Sequence, residues 1–301
     1  MDKNQENQQN HVSKNWYDKS YKWLLIIPAL MLIFSIIYLI NFNSKNGDIF
    51  YKDVSLTGGT TITVFDENVN IDEIESLVQL TFPDSHARAI SDIRTGKQEG
   101  FFVESKVEAN LLKAELEKIL GYVLDNENSS IEFSGATLSA GFYKQLKFAI
   151  IIAFGLMTLV VFSIFRNVVR SLSIVLAGLS DIIMTICVID LMGMQLSAAG
   201  IVALLMIIGY SVDVDILLTT RVFKGEGGSV NEKIWDAFKT GITMTLTSMA
   251  AVGVGLIFTY SFSQVLAQMF SIILIGLCFD ILNCWIMNAS ILKWYLEVKN
   301  K

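Results

Sequence analysis

The sequence is poor in cysteine, histidine and proline, and long stretches of it carry almost no charge. The three cysteines, Cys187, Cys278 and Cys284, all fall in apolar runs, and the polar regions have none. A disulfide-built secreted domain is therefore excluded. The two histidines, His11 and His86, lie far apart, so with three scattered cysteines no metal cluster is in view. There is no Walker-type phosphate loop and no arguable Ser/His/Asp arrangement. No enzyme, cofactor or metal function follows. Clustered positive charge is also missing, which leaves out nucleic acid as a partner.

The position of the charges says more than their number. The chain has 301 residues, with 23 Lys and Arg against 29 Asp and Glu. Six apolar segments stand out: 23–40, 148–165, 172–193, 198–220, 241–260 and 265–292. Only five of the charges fall inside them: Asp181, Asp190, Asp213, Asp215 and Asp280. A helix needs ~20 mostly apolar residues to cross a hydrocarbon core, and these segments have that length. With 52% hydrophobic residues sorted in this way, a soluble enzyme and a disordered chain are excluded. The first segment ends at Leu39-Ile40-Asn41 without a small-residue cleavage pattern, and reads as a retained helix.

Orientation follows from the short loops. A polar tail over 1–22 carries Lys3, Lys14, Lys19 and Lys22, with Trp16, Tyr17, Tyr21 and Trp23 as an aromatic belt. If this tail is cytoplasmic, 166–171, 221–240 and the tail 293–301 share its side. Together these four stretches hold 13 of the 23 positive charges. The short outer loops 194–197 and 261–264 hold none. The positive-inside rule then places both termini in the cytoplasm and 41–147 outside a cytoplasmic membrane.

Residues 41–147 are long enough to bury a small core. Alternation and turn residues predict strands over 59–65, 87–94, 100–105 and 130–134, with a turn through Gly96. Apolar spacing predicts helices over 70–80 and 107–120. The order β-α-β-β-α-β is that of a ferredoxin-like α+β domain. Asn128-Ser129-Ser130 fits a glycosylation triplet. The expected fold is thus six transmembrane helices, with a small α+β domain between the first and second.

The acids within the apolar segments are the candidate functional residues. Asp213 sits about 6 Å past the middle of the fourth segment. An acid at that depth costs roughly 2.5–3.5 kcal/mol to insert. Asp213 and Asp215 diverge by about 200° on a helix, so one helix face cannot hold both. Asp213 shares a side with Tyr210 and Leu217, and Asp215 with Ser211 and Thr219. Two readings of Asp213 stand open: it exchanges a proton or cation, or it is a neutral interhelical hydrogen-bond partner. Asp181 and Asp280, with Asn283 one turn beyond Asp280, are possible counterparts, local polar contacts, or groups facing a missing partner. Asp190 lies near the outer edge, where solvation is easy. By position alone, Arg221 snorkels to the cytoplasmic edge. Thr243 and Thr247 belong to a hydroxyl-rich stretch that either packs helices or lines a polar route beside Asp213.

Four stretches together resemble the SecF subunits of the SecD/SecF protein-export family, in their archaeal rather than bacterial form. They are Leu56-Thr57-Gly58-Gly59-Thr60; residues 209–221, from Gly209-Tyr210-Ser211 through Asp213 and Asp215 to Arg221; residues 239–248; and residues 279–289, which include Asp280 and Asn283. The resemblance implies an RND-type architecture and an auxiliary subunit that promotes preprotein export with the proton or ion gradient. It implies as partners SecD as a second six-helix half, the Sec channel complex, the translocating preprotein and membrane lipid. Asp213 falls where SecD-type motifs keep an acid, and Arg221 where both motif types keep an arginine. Val214 stands at the bacterial SecF acid position, and Ser55 at the acid of the Gly-Gly signature. The fifth helix lacks the bacterial arginine. These departures are compatible with an altered ion path centred on Asp213. Two other functions fit the residues alone: a non-transporting receptor or scaffold with a ligand-binding outer domain, and half of an RND-type efflux transporter.

Overall fold

A computed structural model describes residues 17–91, 97–225, 228–260 and 263–299. Most of the expected 1–22 tail, residues 92–94 of the second expected strand, the turn at Gly96 and residues 261–262 lie outside the described residues. Helices α1 (Tyr17–Leu24) and α2 (Ile26–Asn46) form the first span. The break between them has a local cause. Pro28 has no N–H for the carbonyl of Leu24, and its ring crowds that carbonyl. Gly47, at φ 75°, then closes α2 by donating its N–H to Asn43 O.

Five further spans follow the outer domain: α6 (Ala136–Phe165), α7 (Val168–Leu191), α8 (Ala198–Lys224), α9 (Val230–Thr259), and a last one built from α10 (Gln264–Leu282), a π-helical turn (Asn283–Asn288) and α11 (Ala289–Lys299). All six spans are long and apolar enough to cross a membrane. Side chains set several helix starts: Asn167 accepts from Arg170 N–H, Ser197 from Gly200 N–H, and Ser229 and Glu232 form a capping box. Helices α7 and α8 are the most enclosed, while α2, α6 and α9 keep large apolar faces uncovered. Small residues allow the close crossings. A Cβ on Gly276 of α10 would collide with Ile207 of α8, and one on Gly241 of α9 with the ring of Trp285.

Between α2 and α6 stands a four-stranded antiparallel sheet of order β2-β3-β1-β4, from β1 (Gly59–Val64), β2 (His86–Ser91), β3 (Gln98–Ser105) and β4 (Ser129–Ser134). Helices α4 (Ile71–Thr81) and α5 (Ala109–Leu120) cover one face. Ile62, Val64, Val78, Phe101, Leu112 and Leu116 make the core there. The expected β-α-β-β-α-β order is present. The Gly58-Gly59 pair has a steric reason: both have positive φ, and a Cβ on Gly59 would strike Ser105 O of β3. The side-chain amide of Asn128 is engaged in a turn, donating to Val123 O at 2.9 Å and accepting from Asp125 N–H at 2.8 Å.

The root of this domain is stitched to the start of α8. Leu196 N–H donates to Tyr51 O at 2.6 Å, and Asp53 N–H to Leu196 O at 3.2 Å. Asp53 caps α3 (Val54–Thr57) by accepting from Ser55 N–H and from Ser55 Oγ–H. Ser55 Oγ in turn accepts from Ala198 N–H, in the first turn of α8, at 2.9 Å. On the other side, Tyr143 of α6 donates to Asp48 at 2.8 Å.

Two outcomes follow. Gly276→Ala lowers the thermal midpoint of the purified protein, since overpacking of this kind costs about 1–3 kcal/mol. Gly209→Ala, where nothing lies within 4 Å of the added Cβ, holds or raises it. The second concerns Glu104, half-buried on β3. Burial raises it to about 7, the nearby Asp53 adds to the rise, and Arg88 opposes it. An acid raised in the folded state stabilises it fully below the unfolded carboxyl value, and that contribution is lost as pH rises through about 7. Melts between about pH 5 and about pH 8 show the parent losing stability relative to Glu104→Gln as pH rises.

Candidate functional site

Three carboxyl groups meet inside the helix bundle. Ser211 and Asp215 are one turn apart on α8, so they share a face, and both are buried. Asp181 comes to that face from α7 and Asp280 from α10, each about 1% exposed or less. Ser211 Oγ–H donates to Asp181 Oδ2 at 2.6 Å. Asn283 Nδ2–H donates to the other Asp181 oxygen at 2.7 Å. Asn288 Nδ2–H donates to Asp215 Oδ1 at 2.7 Å. Asp280 interacts electrostatically with both Asp181 and Asp215.

The π turn is what lets two amides serve one cluster. In an α-helix, five residues turn about 140° past a full revolution, which would send Asn283 and Asn288 to different sides. In a π turn the repeat is i to i+5, so the two stack on one face. Both are fully buried, and each meets a different acid. The turn also seats Trp285 against Phe238 and over Gly241 of α9, with ring centroids of the two aromatics 5.1 Å apart.

No lysine, arginine or histidine is bonded to these carboxyls among the described residues. Asp215 Oδ2, both oxygens of Asp280 and the carbonyl oxygens of Asn283 and Asn288 are buried without a hydrogen-bond partner there. Three ionised acids at such a site would be three uncompensated charges, each costing several kcal/mol. Bound protons or a cation must offset them. The described residues contain no group of three or more His, Cys, Asp or Glu arranged to hold a metal ion. The chemistry open to this site is exchange of small ions with reorientation of amide and hydroxyl partners.

The other sequence candidates lie elsewhere. Asp213 is exposed on the opposite face of α8, as its rotation from Asp215 requires. There it lines a groove of about 630 Å³ with Gly209 and Tyr210 of α8 and Ala153, Met157 and Val160 of α6. Arg221 is exposed in the last turn of α8, away from the acids. Thr243 and Thr247 are exposed on α9 and donate back to the carbonyls of Lys239 and Thr243. Thr245 is the buried hydroxyl of that stretch. Asp190, expected to be solvated, is buried near the outer end of α7, where α2 packs against it. Ser211, which helical spacing places on the Asp215 side, is a member of the cluster, and Asn288 is the member that sequence periodicity did not single out. For Asn288 the available signal was a second amide in an apolar run, and helical spacing turns it the wrong way.

Removing the Asn288 amide leaves Asp215 without its donor, a loss of about 1–3 kcal/mol. In a thermal double-mutant cycle, Asn288→Leu and Asp215→Leu are each destabilising. Their combination is less destabilising than the sum. Strict additivity would mean that the pair does not interact.

Comparison with known proteins gives the family. Residues 115–298 match the family model described as protein export membrane protein SecD/SecF, C-terminal. The protein-export membrane protein SecF of Methanocaldococcus jannaschii is 38% identical over 287 residues, covering 92% of this chain and 96% of the relative. That of Methanothermobacter thermautotrophicus is 37% identical, covering 94% and 95%. That of Pyrococcus furiosus is 33% identical, covering 91% of each. In three dimensions the chain is similar to SecDF, a translocon-associated membrane protein from Thermus, with a TM-score of 0.72 at 19% identity. The match covers 94% of this chain but only 38% of that one, so the likeness bears on the fold, and this chain spans well under half of the larger protein. The chain belongs to the SecF family of protein-export membrane proteins.

Proposed function

We propose that this protein is the SecF half of an accessory complex of the Sec translocase, and that it promotes preprotein export with the energy of an ion gradient. It pairs with a six-helix SecD-type subunit and acts on preprotein emerging from the Sec channel complex. Both termini are cytoplasmic, and the domain 41–147 faces outward. The observation that carries the reading is the buried Asp181–Asp215–Asp280 cluster with its amide partners. An ionisable group at membrane depth is by default a candidate for an ion pathway.

Two features support it. The exposed α8 face with Val202, Met206, Tyr210 and Asp213 is where a second half would pack, so Asp213 answers to the partner subunit. The ties from Tyr51 and Ser55 to the start of α8 give the helix that carries Asp215 a direct grip on the outer domain. The proton is the favoured ion. The cluster presents amide and hydroxyl donors to ionised acids, and its unfilled oxygens are acceptors for protonated ones.

The test is export into vesicles holding the chain, its partner subunit and the Sec channel, with and without an imposed pH gradient. Asp215→Asn and Asp213→Asn insert and co-purify with the partner but lose the gradient-dependent part of export. Asp190→Asn keeps it. If Asp215→Asn responds to the gradient as the parent does, the cluster has no coupling role, and a receptor or scaffold reading takes its place.

A further inference from the structure

The uncovered face of the outer sheet roofs a cavity of about 860 Å³. Its roof comes from Thr61 and Thr63 of β1, Phe102 and Glu104 of β3, and Ser130 and Glu132 of β4. Its floor comes from the outer ends of three spans: Leu138 and Phe142 of α6, Ala198 of α8, and Val265 of α10. The register explains the roof. Glu104, Thr61 and Glu132 are cross-strand partners in one row, and Phe102, Thr63 and Ser130 in the next. Alternation sends these residues away from the core that faces α4 and α5.

The lining combines two chemistries. Glu99 and Glu132 supply negative charge, the carboxyls of Asp53 and Glu104 add acceptors that burial raises above the usual carboxylate range, and no Lys, Arg or His is among the described lining residues. Phe65, Phe102, Phe133 and Phe142 supply aromatic surface beside them. His86 and Arg88 lie in the same two rows on β2, outside the lining. Lysine and arginine side chains match such a wall, because their apolar stems and charged heads are satisfied together. The strands that roof the cavity are six to eight residues long, so it can take an extended segment of about that length lying along them.

We propose that this cavity is a docking site for an extended polypeptide segment in which Lys or Arg alternates with apolar residues. The proposal deepens the export reading and rests on it for the identity of the segment as preprotein. Its place fits. The site lies at the outward ends of the spans, and its Asp53–Ser55 wall is the strut that meets α8. Acid and aromatic groups hold a basic stretch, while Thr61, Thr63 and Ser130 leave room for varied side chains.

The test uses the full chain in nanodiscs of zwitterionic lipid, with a photoreactive residue replacing Thr63, or replacing Leu80 on the helical side as control. The probes are a short extended Lys–Val–Phe peptide and its Glu–Val–Phe counterpart. Position 63 captures the basic peptide and position 80 does not. Glu99→Lys with Glu132→Lys, both at exposed positions, weakens capture of the basic peptide about tenfold and favours the acidic one. Equal capture of both peptides, or capture unchanged by the two substitutions, overturns the site. So does a crosslink from position 63 to the partner subunit in place of the peptide when that subunit is present. The outcome is separable from the export reading. Peptide capture with export indifferent to Asp215→Asn leaves the site standing and removes the coupling. Export that depends on Asp215, with no capture at position 63, does the reverse.

Discussion

A carboxylate buried in a membrane protein forces the structure around it to supply what water would have supplied. Here three of them share one buried site, and much of the bundle is arranged to meet that demand. Asp181 takes a hydroxyl and an amide, and Asp215 takes a second amide. Two amides from one helix reach two different acids only because that helix is wound as a π turn between Asn283 and Asn288. Tight crossings at Gly276 and Gly241 bring α8, α9 and the last span close together. The Asp280 oxygens are buried beside these bonded acids.

Energy gathered at such a site is useful only if it moves something. Helix α8 is the common member. It carries Ser211 and Asp215 on its inner face and Asp213 on the outer one, and its first turn is bonded to the root of the outer domain. A small shift of α8 therefore reaches the sheet through backbone hydrogen bonds at Leu196 and the Ser55 hydroxyl. That is a contiguous physical link between the two regions. The Ser55 hydroxyl serves both sides of this link, donating to Asp53 and accepting from Ala198 N–H.

Much of the fold was legible because lipid is a strict solvent. Charge is so costly there that five acids in six apolar segments outlined the spans. The outer sheet was legible from alternation at Ile62 and Val64 and from helical spacing at Leu112 and Leu116, which form its core. The site was only partly so. Each acid could be named, and the rotation separating Asp213 from Asp215 could be worked out. Which of the two faces inward depends on packing against α7 and α10, which periodicity along one helix does not encode. Asn288 was hidden for a different reason, since a π turn departs from the 3.6-residue repeat used to read helices. Thr243 and Thr247 were conspicuous by type, yet their hydroxyls turn back onto their own helix.

The central claim is that the Asp181–Asp215–Asp280 cluster changes its ion occupancy as the protein works. Infrared difference spectroscopy on the membrane-embedded complex reads this directly, through the carbonyl stretch of protonated carboxyl groups. On imposing a pH gradient, the account predicts a carboxyl band that appears and reverses with the gradient, and that is altered in Asp181→Asn, Asp215→Asn and Asp280→Asn. A difference spectrum with no such band, or one unchanged by all three substitutions, would contradict it.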